Sequence, residues 1–473
     1  MSASSAARRG RARGLLLTLL ALVLVALGAW WALHAQKKRP PNVVLVTIES
    51  LRTDHVGCYG GARPTTPALD ALAQEGMVYE RAHSVTSWTL ASHASLFTGL
   101  YPSVHRADRP LSRLDDHHET LAELLAGAGY QCGGVVSGPY LRRPHGLHQG
   151  FSFWDERPSS LDMSESHKDV TSPAMLEGLE RFLARIDGDR PFFLFAYFWD
   201  PHFDYLPPAP YDRSFVEPTD EPIDLHDYEA EEPVHLGIRP EQLAYVRSQY
   251  DGEIRWTDEH LGRLCARLRE RGAWDDTLVI VTADHGEGFF EHGSKGHKHD
   301  VYEESVHVPL VVKYPGAGPR GRDDRLVSLV DVLPTVLEVT GTRDPVARAG
   351  RSLLASPDPG RAVFLELLEL WYIHQPGQAE AVEERSWFSV LSGQHKLVFV
   401  PREERRELYD LASDPRETRD LAASEPERAN ALMGELERWR VGELKRAGEY
   451  SSGVRAELGA DELARLRSLG YVR

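Results

Sequence analysis

Cysteine is scarce. Cys58, Cys132 and Cys265 are the only three in 473 residues. They are far apart and form no C-x-x-C pair, so neither a zinc knuckle nor a disulfide framework is indicated. They read as small buried apolar residues. Basic charge is in deficit: 54 Lys and Arg against 71 Asp and Glu leave a net charge of −17. That balance disfavours nucleic acid as a partner, because phosphate backbones need Lys and Arg for neutralisation. It does not exclude a small anionic substrate, since a pocket can be cationic inside an acidic shell, above all where metal ions sit. Internal repeats are absent. Long apolar runs are absent as well, with one exception near the N-terminus.

That exception is residues 14–33, GLLLTLLALVLVALGAWWAL. About twenty residues without a charge match a hydrocarbon thickness of ~30 Å. Arg8, Arg9, Arg11 and Arg13 precede the run, and Lys37, Lys38 and Arg39 follow it. Trp30 and Trp31 stand at its outer end, where amphipathic rings favour an interface. The reading is a basic tail over 1–13 and a single transmembrane signal-anchor over 14–35, with the globular part on the periplasmic or extracellular side. The alternative is a cleaved signal peptide. Against it stand the length of the run and the lack of an A-x-A site.

What remains is ordinary globular material, 42 % apolar and 26 % charged. That is enough for one large domain and a smaller appendage. NVVLVTI (42–48), PFFLFAYF (191–198) and TLVIVTAD (277–284) are continuous apolar runs rich in β-branched or aromatic residues. Such runs suit strands buried on both faces of a parallel sheet. Between them lie helical stretches: TPALDALAQEG, with Thr66 as N-cap and Pro67 at the first position, TLAELLAGAGY, a segment near 173–188, and a long amphipathic one over 240–271. Strands alternating with helices predict an α/β fold, a doubly wound, mostly parallel sheet with helices on both faces. We place this domain at 41–345. Near residue 375 the pattern changes. RSWFSVLSGQHKLVFV reads as two antiparallel strands joined at Ser392-Gly393, followed by a helical tail, which gives a small C-terminal α+β domain over 375–473. The stretch 207–240 reads as an insertion loop near the site.

In open α/β sheets ligands bind at the carboxyl ends of the strands. Three apolar runs end in Glu49, in Asp200 and His202, and in Asp284 and His285. As a set, these carboxylates and imidazoles make a plausible metal site for Zn, Mn, Ca or Mg.

Longer motifs sharpen the picture. NVVLVTIESLRTDHVGCYGGARPTTPALDALAQEG, SHASLFTGLYP, VTADHGEGFFEHG, HKHDVYEESVHVPLVVKYPG, ELYDLASDPRETRDLA and the closing ELARLRSLGYV follow one another in order. Together they resemble the sulfatase family of the alkaline phosphatase superfamily, from about residue 41 to the end. The resemblance implies that Glu49, Asp284 and His285 bind a divalent metal ion. It implies that Arg52 orients Glu49. His202 contacts the ester or leaving group, as a general acid or as a ligand to a second metal. His297 and Lys298 stabilise charge on the transferred group, and His297 can instead bind metal.

Two positions depart from the family. Ser50 stands where a second acidic ligand is common. The nucleophile segment reads T-L-A-S-H, so Thr89 occupies the position of the Cys or Ser converted to formylglycine, and His93 replaces an Arg. A free hydroxyl is a weak nucleophile, but metal coordination lowers its pKa and orients it. Thr89 is therefore expected both as nucleophile and as metal ligand, with His93 as its polar contact and Ser87 and Ser92 as rival hydroxyls. The functional expectation is a metal-dependent hydrolase of sulfate or phosphate esters, acting on a small anionic ester, lipid or glycan. A phosphoethanolamine-type headgroup transferase is one alternative, and an inactive ligand-binding homologue is another.

Overall fold

The computed structural model describes residues 39–159, 171–226, 228, 237–368, 370–373, 381–450 and 453–468, together with Val23, and gives only the backbone for 370–373, 381–384 and 468. Eight strands form the main sheet. In chain order they are β1 (Asn42–Ile48), β2 (Met77–His83), β3 (Gln131–Val136), β4 (Phe153–Asp155), β5 (Phe192–Phe198), β6 (Thr277–Ala283), β7 (Leu310–Lys313) and β8 (Gly321–Ser328). They lie in the order β8-β2-β7-β6-β1-β5-β3-β4. β1 is parallel to both neighbours, and β3 is parallel to both of its own. β8 is parallel to β2. β7 runs antiparallel to β6 and β2. The sheet is thus mostly parallel, as the continuous apolar runs predict. Every residue of β1, β5 and β6 is buried, which is why these strands carry no polar alternation.

The helices form where their end signals stand. They are α1 (Pro67–Glu75), α2 (Thr89–Thr98), α3 (Leu121–Gly127), α4 (Ser172–Leu183) and α5 (Pro240–Glu270). α3 opens with a capping box, in which Thr120 and Glu123 bind each other's backbone N–H. The cap of α1 comes from elsewhere. Thr66 gives no side-chain cap; the Asp258 carboxylate, from α5, accepts the Ala68 and Leu69 N–H groups at 2.8 and 2.9 Å.

A second sheet is antiparallel and four-stranded, in the order β9 (Ala362–Leu367), β10 (Trp387–Ser392), β11 (His395–Val400), β12 (Arg405–Asp410). It begins before the expected residue 375, because β9 pairs with β10 along its whole length. The hairpin reading holds: Ser392 pairs with His395, and Gly393 takes the left-handed conformation at φ 59° that the turn needs. α6 (Pro426–Ala447) covers one face, packing Leu432, Met433 and Leu436 on Phe388, Val390 and Leu397. The three cysteines are free thiols, and Cys132 and Cys265 are buried.

One expectation is corrected. Among the described residues no helix is long and apolar enough to cross a membrane, so the single-pass anchored topology, with its periplasmic or extracellular placement, is not supported. Apart from Val23, the stretch 14–35 on which it rested lies outside the described residues.

Candidate active site

Strand register builds the site. Ile48 pairs with Phe198 on one side and Ala283 on the other. The next residues, Glu49, Trp199 and Asp284, therefore leave the sheet side by side at its carboxyl end. The Glu49 N–H donates to the Phe198 carbonyl at 2.9 Å, extending the ladder by one residue. Ser50 then turns the chain with φ 51°. Its N–H donates to Asp284 Oδ1 at 3.2 Å, and its hydroxyl donates to Glu49 Oε1 at 2.8 Å. Where an acidic ligand is common, this chain has a residue that orients two acids.

α2 aims its first residue at the same point. The Thr89 hydroxyl lies 3.4 Å from Glu49 Oε2 and 3.2 Å from His285 Nε2. One turn along, His93 Nδ1 donates to the Thr89 carbonyl at 2.8 Å, which leaves Nε2 to accept from the Thr47 hydroxyl at 2.9 Å. His93 thus ties the first turn of α2 to β1. The rival hydroxyls are engaged elsewhere: Ser92 donates to the Asp284 carbonyl at 2.7 Å, and Ser87 donates to the Asp300 carbonyl at 2.6 Å.

The electrostatics are unbalanced. Glu49, Thr89 and His285 are 0 % exposed and Asp284 1 %. His285 Nδ1 faces the Gly286 carbonyl at 2.9 Å, an acceptor only, so the proton sits on Nδ1. Its Nε2 lone pair then faces Glu49 Oε1 at 3.2 Å and Asp284 Oδ2 at 3.5 Å. Burial, then the Asp284 charge, pushes Glu49 up to about 7. Burial does the same to Asp284 and Glu287, each pushed up to about 7. Burial also holds His285 and His297 down at about 4, so both rings are neutral. Asp284 Oδ2 is fully buried and has no hydrogen-bond partner.

Lone pairs converging on carboxylates in a dry interior repel one another unless a cation or a proton lies between them. Glu49, His285 and His297 can each offer an atom within 4.8 Å of the others. The residues fit a divalent cation. Gly286 leaves room for this turn: a Cβ there would stand 2.0 Å from the Glu304 carbonyl oxygen.

The remaining predicted residues divide. His297 joins the group, its ring 4.4 Å from that of His285. Its Nδ1 is 3.3 Å from Glu287. His202 stacks on Trp199 at 3.7 Å and lies 5.4 Å from His297, centre to centre. Lys298 holds its ammonium 5.1 Å from the centre of the Trp88 ring. Asp200 serves the scaffold: its carboxylate accepts the Thr171 and Ser172 N–H groups at 3.1 Å and caps α4.

Arg52 does not orient Glu49. It binds Asp54 and Glu291, both at 2.8 Å, and the Glu287 carbonyl at 2.9 Å, so it fixes the turn after His285. His292, another imidazole of the same segment, pairs with Glu304 at 2.6 Å. Two residues escaped the sequence reading. The Tyr197 hydroxyl donates to Glu49 Oε2, and Glu287 sets His297. A lone phenol one residue before the end of an apolar strand was the signal for Tyr197. Glu287 gave none beyond its place in ADHGEG.

A sheet of this order, with acids and imidazoles gathered at its carboxyl end around a hydroxyl, defines a class of ester-cleaving α/β proteins. Family comparison matches residues 41–342 to Sulfatase and residues 290–441 to N-sulphoglucosamine sulphohydrolase, C-terminal. The chain belongs to the sulfatase family of the alkaline phosphatase superfamily.

Among its relatives, the multifunctional alkaline phosphatase superfamily protein PehA of Trinickia caryophylli is 28 % identical over 66 % of this chain and 76 % of its own. The arylsulfatase of Clostridium perfringens is 27 % identical over 81 % of this chain and 91 % of its own. Among solved structures, the phosphonate monoester hydrolase of Agrobacterium radiobacter superposes with a TM-score of 0.68. It is 24 % identical and covers 85 % of this chain and 96 % of that one, a likeness of fold.

Proposed function

We propose that this protein hydrolyses sulfate or phosphate esters, with the Thr89 hydroxyl as nucleophile and Glu49, Asp284, His285 and His297 as the holders of a divalent cation. The observation that carries the reading is the placement of the Thr89 hydroxyl, 3.4 Å from Glu49 Oε2 and 3.2 Å from His285 Nε2 at the carboxyl end of the sheet. The arylsulfatase among its relatives points to the same reaction class. Zn, Mn, Ca and Mg all remain compatible with a donor set of carboxylates and imidazoles.

The reaction follows from the side chains. The Thr89 oxygen attacks the sulfur or phosphorus, and the bond from that atom to the alcohol oxygen breaks. The Thr89 proton moves along its existing hydrogen bond to Glu49 Oε2, the departing alcohol oxygen takes a proton from water, and Glu49 gives its proton back to solvent. Water then cleaves the threonyl ester, releasing sulfate or phosphate and restoring the hydroxyl. A bound divalent cation supplies positive charge that favours the alkoxide form of Thr89 and polarises the ester. Tyr197 and Ser50 keep the Glu49 carboxylate aimed at Thr89. Lys298 offers charge to the oxygens of the transferred group, and His202, stacked on Trp199, is the proposed contact to the alcohol. His93 positions Thr89 through its carbonyl.

The headgroup-transferase alternative rests on the resemblance of the set Glu49, Thr89, Asp284 and His285 to that of phosphoethanolamine transferases; the membrane anchor that suited it finds no long apolar helix among the described residues.

Mass spectrometry of protein quenched during turnover of para-nitrophenyl sulfate or phosphate tests the proposal. The expected result is one added sulfuryl or phosphoryl group on the peptide containing Thr89. An adduct on another residue, or full turnover by Thr89→Ala, contradicts it.

A further inference from the structure

The chain between His285 and His297 folds into a short hairpin. Gly288 pairs with Gly296 and Phe289 with Lys295, so Glu287 and His297 stand opposite each other at the open end of the ladder. The Glu287 carboxylate oxygens lie 3.3 and 3.5 Å from His297 Nδ1. Glu287 is 0 % exposed and His297 4 %.

Both sides of this contact are anchored by other parts of the chain. The Glu287 N–H donates to the Glu304 carbonyl at 2.9 Å, and the Glu287 carbonyl accepts from Arg52 at 2.9 Å. On the facing strand the buried Lys295 donates to the Tyr228 carbonyl. The two strands can close because their first pair is glycine: a Cβ on Gly288 would stand 3.0 Å from the Gly296 carbonyl oxygen. The buried Tyr205 hydroxyl favours the charged form of Glu287.

An ionised carboxylate only accepts hydrogen bonds. A neutral imidazole facing one carries its proton on the facing nitrogen and its lone pair on the other. Burial keeps His297 neutral, so Glu287 selects the Nδ1–H tautomer and places the lone pair on Nε2. Such a carboxylate fixes the ring's orientation and raises its basicity toward a metal. His285 receives the same tautomer from the Gly286 carbonyl. The two rings are 4.4 Å apart, centre to centre, and both can offer an atom within 4.8 Å of Glu49.

Two imidazoles change which cation the site suits. Ca²⁺ takes about 6–8 oxygen ligands, and Mg²⁺ is also a hard cation held by oxygen. Imidazole nitrogen suits Zn²⁺ and other transition metals. At position 50, where a further acidic ligand is common, the Ser50 hydroxyl is spent on Glu49 Oε1. The donor set thus gains a nitrogen at His297 and lacks an oxygen at Ser50.

Resting on the divalent-cation reading above, we infer that Glu287 is a positioning residue that makes His297 a metal ligand, and that this pair sets the preference of the site for a transition metal such as Zn²⁺ over Ca²⁺.

The test titrates Zn²⁺ and Ca²⁺ calorimetrically into metal-stripped wild type, Glu287→Met, Glu287→Gln, His297→Gln and the double variant Glu287→Met/His297→Gln. Wild type is expected to bind Zn²⁺ the more tightly. Glu287→Met keeps the bulk and removes every acceptor, and its Zn²⁺ affinity should fall about 10–100-fold. Its Ca²⁺ affinity should fall less, so the ratio of the two drops. Glu287→Gln keeps an acceptor for the Nδ1–H and should recover part of the loss. Because Glu287 acts through His297, the double variant should bind Zn²⁺ little more weakly than His297→Gln alone. Pulsed electron paramagnetic resonance of the Cu²⁺-loaded proteins counts the bound imidazoles: two are expected in wild type and one in Glu287→Met.

Wild type that prefers Ca²⁺, or that holds Cu²⁺ through a single imidazole, overturns the inference without recourse to any variant. So does a Glu287→Met protein that loses both ions equally and keeps two imidazoles, or a double variant that shows the full product of the two single effects. None of these readings uses turnover. A protein that binds Zn²⁺ through two imidazoles and cleaves no ester keeps this inference and loses the hydrolase reading; one that cleaves esters with a single bound imidazole does the reverse.

Discussion

Two buried carboxylate clusters answer one problem in opposite ways. Between the second sheet and the main one, Glu303 and Glu417 flank Lys396, whose ammonium is 2.9 Å from each and whose side chain is 0 % exposed. Burial pushes Glu303 up, but the Lys396 charge and then His83 outweigh it, so this carboxyl is held well below the ordinary range. Burial, with the Glu303 charge, pushes Glu417 up to about 8, despite the pull of Lys396. The cation there is part of the chain. At the site, Glu49, Asp284 and Glu287 are equally buried but face neutral rings, and all three rise to about 7. The first cluster has its cation from folding; in the proposed function the second takes one from solution.

The largest expected effect concerns chemistry. Thr89→Ala should lose about 10³-fold or more in kcat, the scale seen when a nucleophile is removed. Its metal content should stay close to wild type, because Glu49, His285 and His297 remain. Steady-state kinetics with metal analysis checks this.

Next comes the cluster with the built-in cation. Lys396→Met leaves Glu303 and Glu417 without compensation, and breaking a buried pair from one side costs about 3–5 kcal/mol. Urea unfolding reads the loss, and chelator should add nothing specific to it. At the site the corresponding perturbation is removal of the metal. Stripping an ion present at about 100 times its Kd costs about 2.7 kcal/mol, seen as a lower midpoint in the presence of chelator.

The pH dependence separates Glu303 from the site carboxylates by sign, while Glu417, raised to about 8, follows the site. In metal-free protein, Glu49 and Asp284 have folded pKa values near 7 against ordinary values of 4.5 and 3.8. The folded state therefore holds more protons. The stability this gives is full below about 4 and is lost as pH rises through about 7. With metal present the cation takes the charged carboxylates, so its contribution grows over the same window. Glu303, with its depressed pKa, gives stability above the ordinary carboxylate range that is lost as pH falls. Unfolding midpoints at pH 5 and 8, with and without chelator, should show metal stabilising much more at pH 8. A metal effect independent of pH would break the comparison.

The smallest effect is expected at Asp200. Asp200→Ala removes the acceptor for the first N–H groups of α4 and should cost about 1–2 kcal/mol, measured by urea unfolding, with metal content retained.

Much of this was legible in the residues alone. Three apolar runs without polar alternation predicted the central strands, and the carboxyl-end rule gathered Glu49, Asp200, His202, Asp284 and His285 at one end of the sheet. The family resemblance then singled out Glu49, Asp284 and His285, and it placed Thr89 at the position of the Cys or Ser converted to formylglycine. What stayed hidden depended on contacts between distant segments. The α1 cap comes from Asp258 rather than Thr66, because a capping acceptor need not be local. Arg52 turned from Glu49 to Asp54 and Glu291, since a fork with several donors binds whichever acids the fold presents. β9 escaped because its pairing partner, β10, lies some twenty residues further on, and a short alternating run gains its meaning only beside its neighbour. The apolar run at 14–35 looked like a span by length and flanking charge, which the described helices do not support.

The central claim is that the buried acids and imidazoles beside Thr89 hold a divalent cation. Calorimetric titration of Mn²⁺ or Zn²⁺ into metal-stripped wild type and Glu49→Gln at pH 8 tests it most directly. The account expects saturable binding by wild type, released protons, and affinity about tenfold or more weaker in Glu49→Gln. Wild-type protein that binds neither ion nor Ca²⁺ or Mg²⁺, or a Glu49→Gln variant that binds as tightly as wild type, would contradict it.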